Sequence, residues 1–162
     1  MEKTLARKIQ KIINNNFSSN ELLTAITILA NLKHCNTLDL TKVVLIEPLC
    51  SYNKLMKKLA NKKYQIRSIE ELIIKSDFLL TNFNKKFEDS LLVSLNSICL
   101  LLQLKLITIN KNKILYNGNE FDFNEKTLGE KSKMRINASS KLSDILKNTS
   151  NTELYLHLRV EL

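Results

Sequence analysis

Two glycines and one proline in 162 residues leave this chain few ways to turn sharply. Turn-dense β architectures, collagen-like repeats and flexible linkers need many more. P-loops and dinucleotide fingerprints need several glycines close together, so both are excluded. What remains is a mainly helical chain. With 44% hydrophobic and 25% charged side chains it has an ordinary globular composition. A chain of this length is about one domain and buries roughly 70% of its unfolded surface.

Apolar spacing then sets the order of elements. Leu5, Ile9, Ile12 and Ile13 predict a helix over 4–16. Ser18 with Glu21 reads as a capping box that opens a second helix over 19–33, striped by Leu22, Leu23, Ile26, Leu29 and Ala30. Asp39 is a candidate cap for a segment from Leu40 to Glu47, helix or strand, that Pro48 ends or kinks. A helix over 51–62 places Tyr52, Leu55, Met56 and Leu59 on one face, and Ser68 with Glu71 opens a short helix through Ile74. Asp77 to Phe83 adds a turn or two. Glu88 and Asp89 suit the start of a helix that runs to Gln103 and turns Leu91, Leu92, Leu95, Ile98, Cys99 and Leu102 inward. This most apolar helix is the expected centre of the fold.

The period then changes from 3.6 to 2. Leu106 to Asn110 and Lys113 to Asn117 flank Lys111-Asn112 as a β-hairpin, with Asn112 suited to the left-handed conformation of the turn. A polar loop over 117–125 leads to a long helix over 127–147, striped by Leu128, Met134, Ala138, Leu142, Ile145 and Leu146. Ser150 with Glu153 caps a last turn over 154–158. The expectation is a mainly α, compact helical domain over 1–162. It holds a winged-helix-like core at about 68–117 with the hairpin as a small wing, and a C-terminal helical part at about 127–160.

Catalytic chemistry is thinly supplied. His34 and His157 are the only histidines, and the acidic residues read as helix caps or surface pairs. Neither GxSxG nor HExxH occurs, nor any His/Cys spacing suited to a metal. No enzyme activity, cofactor or metal is therefore expected. Cys35, Cys50 and Cys99 are odd in number, widely spaced and set among apolar neighbours, as buried thiols of a reducing cytoplasm are. The basic N-terminus continues into a stretch too polar for a signal peptide. The longest apolar run, Ile98 to Leu102, is far short of the roughly 20 residues of a membrane span. A cytoplasmic protein without membrane contact is expected. The 4 Arg against 21 Lys and the many Asn fit an AT-rich genome.

Charge is uneven. Residues 1–67 hold 12 Lys and Arg against 4 Asp and Glu, and residues 68–162 hold 13 against 12. The densest run is Lys54, Lys57, Lys58, Lys62, Lys63 and Arg67, with no acid between them. Lys54, Lys57 and Lys58 share one helix face. This run is the candidate nucleic-acid site, a set of phosphate-backbone contacts; the plainer reading is a solvated helix face in a Lys-rich chain. A winged helix invites sequence reading through its recognition helix. The stretch from Phe87 to Gln103 instead carries Glu88 and Asp89 and no Lys or Arg, which suits protein contact better than base contact.

The order of segments resembles the middle-component proteins of bacterial three-component ABC systems, including the small subunit of Lamassu-type defence systems. The likeness covers roughly residues 12–161. Asn15-Asn16-Phe17 before Glu21 to Ile26 stands for the family's Asn-Pro-x-Phe element and apolar helix. Val43-Val44-Leu45-Ile46-Glu47-Pro48-Leu49 stands for its apolar run ending in Leu-Pro-Leu. The helix pair and hairpin follow over Asp77 to Asn117. Leu154-Tyr155-Leu156-His157-Leu158-Arg159-Val160 stands for its Ile-Tyr-x-x-Leu-Gly-Val tail. Asn16 replaces the family's Pro, Glu47 its usual Leu, and Arg159 its usual Gly. The resemblance implies a non-catalytic adaptor between an SMC/Rad50-like ABC ATPase and an effector, often a nuclease, in immunity against phage or plasmid, with DNA met through the complex. A free-standing winged-helix DNA binder or regulator is the other reading the residues allow.

Overall fold

The structure, a computed structural model, describes residues 19–76 and 82–161. The expected helix over 4–16, the Ser18 cap and most of the turn over 77–83 lie outside those residues. The described elements are α1 (Ser19–Cys35), β1 (Thr37–Asp39), α2 (Leu40–Val43), α3 (Ile46–Cys50), α4 (Asn53–Ala60), α5 (Ile69–Ile74), α6 (Phe83–Gln103), β2 (Ile107–Asn110), β3 (Lys113–Tyr116), α7 (Gly129–Asn148) and α8 (Asn151–His157). A 3₁₀ turn at Lys126–Leu128 precedes α7. The fold is mainly α with one small antiparallel sheet.

The central helix is α1, not α6 as the apolar content suggests. It lies between α6 and α7. From Thr24 to Leu32 it is buried nearly all round, Thr27, Ile28 and Asn31 included, whereas Leu22, Leu23 and Ile26 of the predicted stripe are only half-buried. Two of its polar side chains donate along their own helix, Thr27 Oγ1 to the Leu23 carbonyl at 2.7 Å and Asn31 Nδ2 to that of Thr27 at 2.9 Å, while Asn31 Oδ1 is buried without a hydrogen-bond partner. Against α7, the fully buried Ala138 and Ser139 allow close approach. Against α6, the small side chains Ser94 and Ser97 do the same, and Ser97 Oγ donates to the Glu21 carbonyl at 2.9 Å.

Pro48 neither ends nor kinks the 40–47 segment. The break falls at Val44-Leu45, and Pro48 sits in the first turn of α3, where its missing N–H has no intrahelical acceptor to lose. Helix α6 begins at Phe83, so Glu88 and Asp89 lie in its second turn and Lys85 and Lys86 belong to it. Phe83 and Phe87 anchor this extra turn: Phe83 stacks on Tyr52 at 6.5 Å and Phe87 meets Tyr155 edge-on at 6.2 Å.

The predicted hairpin forms, with Ile107 opposite Tyr116 and Ile109 opposite Ile114. The left-handed turn residue is Lys111 (φ 57°), not Asn112, whose carbonyl instead accepts from the Leu40 N–H at 2.7 Å. A third strand, β1, pairs with β3 and gives the order β1-β3-β2. The sheet therefore draws on residue 37 onward, outside the 68–117 bounds expected for the winged part. The loop after β3 packs closely: a Cβ on Gly118 would stand 2.8 Å from the Tyr116 ring and 3.0 Å from Leu29 Cδ1.

Two helices end in the same way without glycine. After α6, Lys105 (φ 59°) donates to Leu102 and Leu106 to Leu101; after α8, Arg159 (φ 53°) donates to Leu156 and Val160 to Tyr155. Both are Schellman ends, which normally place glycine at the left-handed position. At the front of α8 the Ser150–Glu153 capping box is complete. At α5 it is half formed: Ser68 accepts from the Glu71 N–H, but the Glu71 carboxylate accepts from the Arg67 N–H at 2.8 Å.

Candidate functional site

The basic run is built outward from α4. Leu55, Met56 and Leu59 are fully buried, and α4 packs on α7. That fixes Lys54, Lys57 and Lys58 on the opposite, exposed face. Beyond Ala60 the chain turns: Asn61 Oδ1 accepts from the Lys63 N–H at 3.0 Å and its carbonyl accepts from the Tyr64 N–H at 3.0 Å. Lys62 and Lys63 are exposed on this turn, and Arg67 is exposed further on, just before α5.

Two lysines outside the run hold it in place. Lys141 of α7 donates to the carbonyls of Leu59, at 3.0 Å, and Asn61, closing the C-terminus of α4 with a cation. Lys75, just past α5, donates to the Gln65 carbonyl at 3.2 Å, lies 5.5 Å from the Tyr64 ring centre and pairs with Glu71. Its own carbonyl accepts from Lys58 Nζ at 3.2 Å. The structure thus places all six sequence-selected cations at the surface of one helix and the loop that joins it to α5. It also brings one acid to them: Glu71 sits at the Arg67 end, its carboxyl held below the usual range first by Lys75 and then by the Arg67 backbone N–H.

The outer face of α6 has a different character. Leu92 is 68% exposed and Leu95 41%, and Cys99 is exposed as well. Hydrophobicity alone predicts that these residues turn inward. Ser94, Ser97, Ile98 and Leu101 are buried instead, because the close α1–α6 contact favours small side chains over the more apolar ones. Cys99 is therefore not one of the buried thiols, whereas Cys35 and Cys50 are: burial pushes their thiols up to about 11 and about 12.

The interior uses charge structurally. Arg135, 3% exposed at its side chain, forms a two-pronged ion pair with Glu47, 15% exposed, at 2.6 and 3.1 Å. Thr24 Oγ1 adds a third bond to Glu47 at 2.7 Å. Lys42 Nζ donates to the Thr149 carbonyl at 2.7 Å. His34 lines a shallow groove with Lys33, Phe123, Ile136 and Ser140, its pKa lowered by burial and then by Lys33. His157 pairs instead with Glu70 at 3.2 Å. Among the described residues, no three His, Cys, Asp or Glu converge to hold a metal ion, and no helix is long and apolar enough to cross a membrane.

These features define a small, mainly α protein whose distinctive chemistry lies on its surfaces: a basic strip on α4 and an apolar helix face on α6. The profile described as ABC-three component (ABC-3C) system Middle Component 3 matches residues 3–162. The chain belongs to that family, as a middle component of a multi-component ABC system. No curated protein and no solved structure matches it.

Proposed function

We propose that this chain is a non-catalytic, cytoplasmic adaptor of a Lamassu-type complex, bridging an SMC/Rad50-like ABC ATPase and a nuclease effector in defence against phage or plasmid DNA. The observation that carries this reading is the family match along residues 3–162, which makes the chain one component among several. Its charged interior supports the reading: Glu47, Arg135 and Lys42 are engaged in tying helices together. In the same reading the strip of Lys54, Lys57, Lys58, Lys62, Lys63 and Arg67 rests on the phosphates of DNA held by the complex, without reading sequence. Glu71 offsets the Arg67 end, so the five lysines are the principal contacts.

The succession α1-β1-α2, then α6-β2-β3, with strand order β1-β3-β2, favours a winged-helix arrangement and keeps a second reading in view, a free-standing DNA binder. The apolar and acidic outer face of α6 favours protein contact over that alternative. A plating assay tests the defence role. In cells carrying the whole gene cluster, deleting this chain restores phage plaques or plasmid retention to the level without the cluster. Undiminished protection after the deletion contradicts the reading.

A further inference from the structure

Scattered apolar side chains are ordinary on any protein surface, and Ile74, Ile109 and Leu156 are each single on their elements. The outer face of α6 is different. Leu92, Leu95 and Cys99 follow one another at i, i+3 and i+7, so they form one stripe about two turns long. Leu91 and Leu102 are half-buried beside it. One turn before Leu92 stand the exposed carboxylates Glu88 and Asp89; Lys85 is exposed a further turn back on the same side, and from Phe87 to Gln103 the helix carries no cation. Acid here stands out, because the chain as a whole has a formal charge of +9.

We infer that this face of α6 is the docking surface for a basic amphipathic helix of another component of the ABC system. The occupant presents apolar residues at i, i+3 or i+4, and i+7 to Leu92, Leu95 and Cys99, and Lys or Arg to Glu88 and Asp89. A helix laid along an exposed apolar stripe is a recurrent mode of peptide recognition, and the acidic pair at one end gives the occupant a direction. The inference rests on the adaptor reading above and deepens it by naming the surface and the chemistry of the partner.

Cys99 lies inside the stripe and serves as its reporter. The full chain is alkylated with iodoacetamide, alone and in the complex assembled with the ATPase and effector of the same gene cluster, and modification is counted by mass spectrometry. The buried Cys35 and Cys50 report in the same spectra that the fold is intact. Cys99 is expected to react freely in the isolated chain and at least about tenfold more slowly in the complex, a ratio equivalent to about 1.4 kcal/mol of protection. The paired changes Leu92→Glu with Leu95→Glu, and Glu88→Lys with Asp89→Lys, are each expected to restore its reactivity while Cys35 and Cys50 stay protected.

A complex that assembles with Cys99 as reactive as before overturns the inference and leaves the adaptor reading standing. Failure of any complex to assemble overturns both. Slow alkylation already in the isolated chain also overturns it. Dilution then identifies a second copy as the occupant if reactivity rises, and deletion of residues 1–18 identifies the chain's own N-terminal segment if reactivity returns.

Discussion

Arg135 on α7, itself almost fully buried, grips Glu47 on α3 with both terminal nitrogens, at 2.6 and 3.1 Å. Thr24 of α1 completes the arrangement, so a single carboxylate ties three helices together. The carboxylate is tolerated in this interior because α7 supplies the matching guanidinium.

The two partners should therefore be strongly coupled. Arg135→Met alone leaves the largely buried Glu47 carboxylate with the Thr24 hydroxyl but without its cation, and is expected to cost about 3 kcal/mol of stability. Glu47→Leu together with Arg135→Met restores an apolar site and is expected to fall within about 1 kcal/mol of the natural chain, or above it. Urea unfolding of the natural chain, both single variants and the double variant measures the coupling. Additive losses would show that the pair is not a unit.

Arg159 occupies a left-handed position, φ 53°, at the Schellman end of α8, a place that glycine usually fills. A side chain there costs roughly 1–2 kcal/mol, partly offset by the lower backbone entropy of a non-glycine residue when unfolded. Arg159→Gly is expected to raise stability by up to about 1 kcal/mol, whereas Arg159→Ala keeps the strain and gains nothing comparable. Thermal unfolding of the two variants side by side decides it.

The capping box at α8 links stability to acid. Hydrogen bonds from the Ser150 N–H and hydroxyl hold the Glu153 carboxyl below its ordinary 4.5. A carboxyl lowered by folding stabilises the native state above that ordinary value, and the contribution disappears as pH falls through the lowered one. Glu153→Gln is thus expected to unfold more easily than the natural chain at pH 7, with the gap closing in acid. Ser150→Ala is expected to lose about 1 kcal/mol at pH 7. Denaturant midpoints across pH 3 to 7 supply the check; a gap that does not change with pH contradicts the assignment.

For the basic strip the relevant measurement is salt dependence. The combined change of Lys57, Lys58, Lys62 and Lys63 to Glu lies on exposed positions and should leave folding and partners intact. If these lysines meet phosphates, the slope of log affinity of the complex for duplex DNA against log salt should fall by roughly 0.9 for each phosphate no longer neutralised. An unchanged slope removes the strip from the DNA interface.

The sequence made most elements legible because their signals are local. The stripe Leu55, Met56, Leu59 fixed α4, the alternation around Lys111-Asn112 fixed the hairpin, and Ser150 with Glu153 fixed the start of α8. What escaped was set by distant packing. Whether α6 buries Ser94 and Ser97 or Leu92 and Leu95 depends on how closely α1 approaches, and hydrophobicity points to the wrong face. The ends of α6 and α8 lacked a glycine signal because Lys105 and Arg159 take the left-handed position themselves. β1 spans only Thr37–Asp39, too short to announce itself. At the candidate site, the six cations and their exposure could be read from spacing, but the clamps from Lys75 and Lys141 could not, since each comes from another part of the fold.

Whether this chain links an ATPase to an effector, as the proposed function requires, can be read in one purification. Tagged ATPase is isolated from cells that express the effector with and without this chain, and the eluate is weighed by native mass spectrometry. A complex of all three components is expected when the chain is present, and ATPase without effector when it is missing. Effector that stays with the ATPase in the absence of the chain, or a chain that elutes apart from both, would contradict the adaptor role.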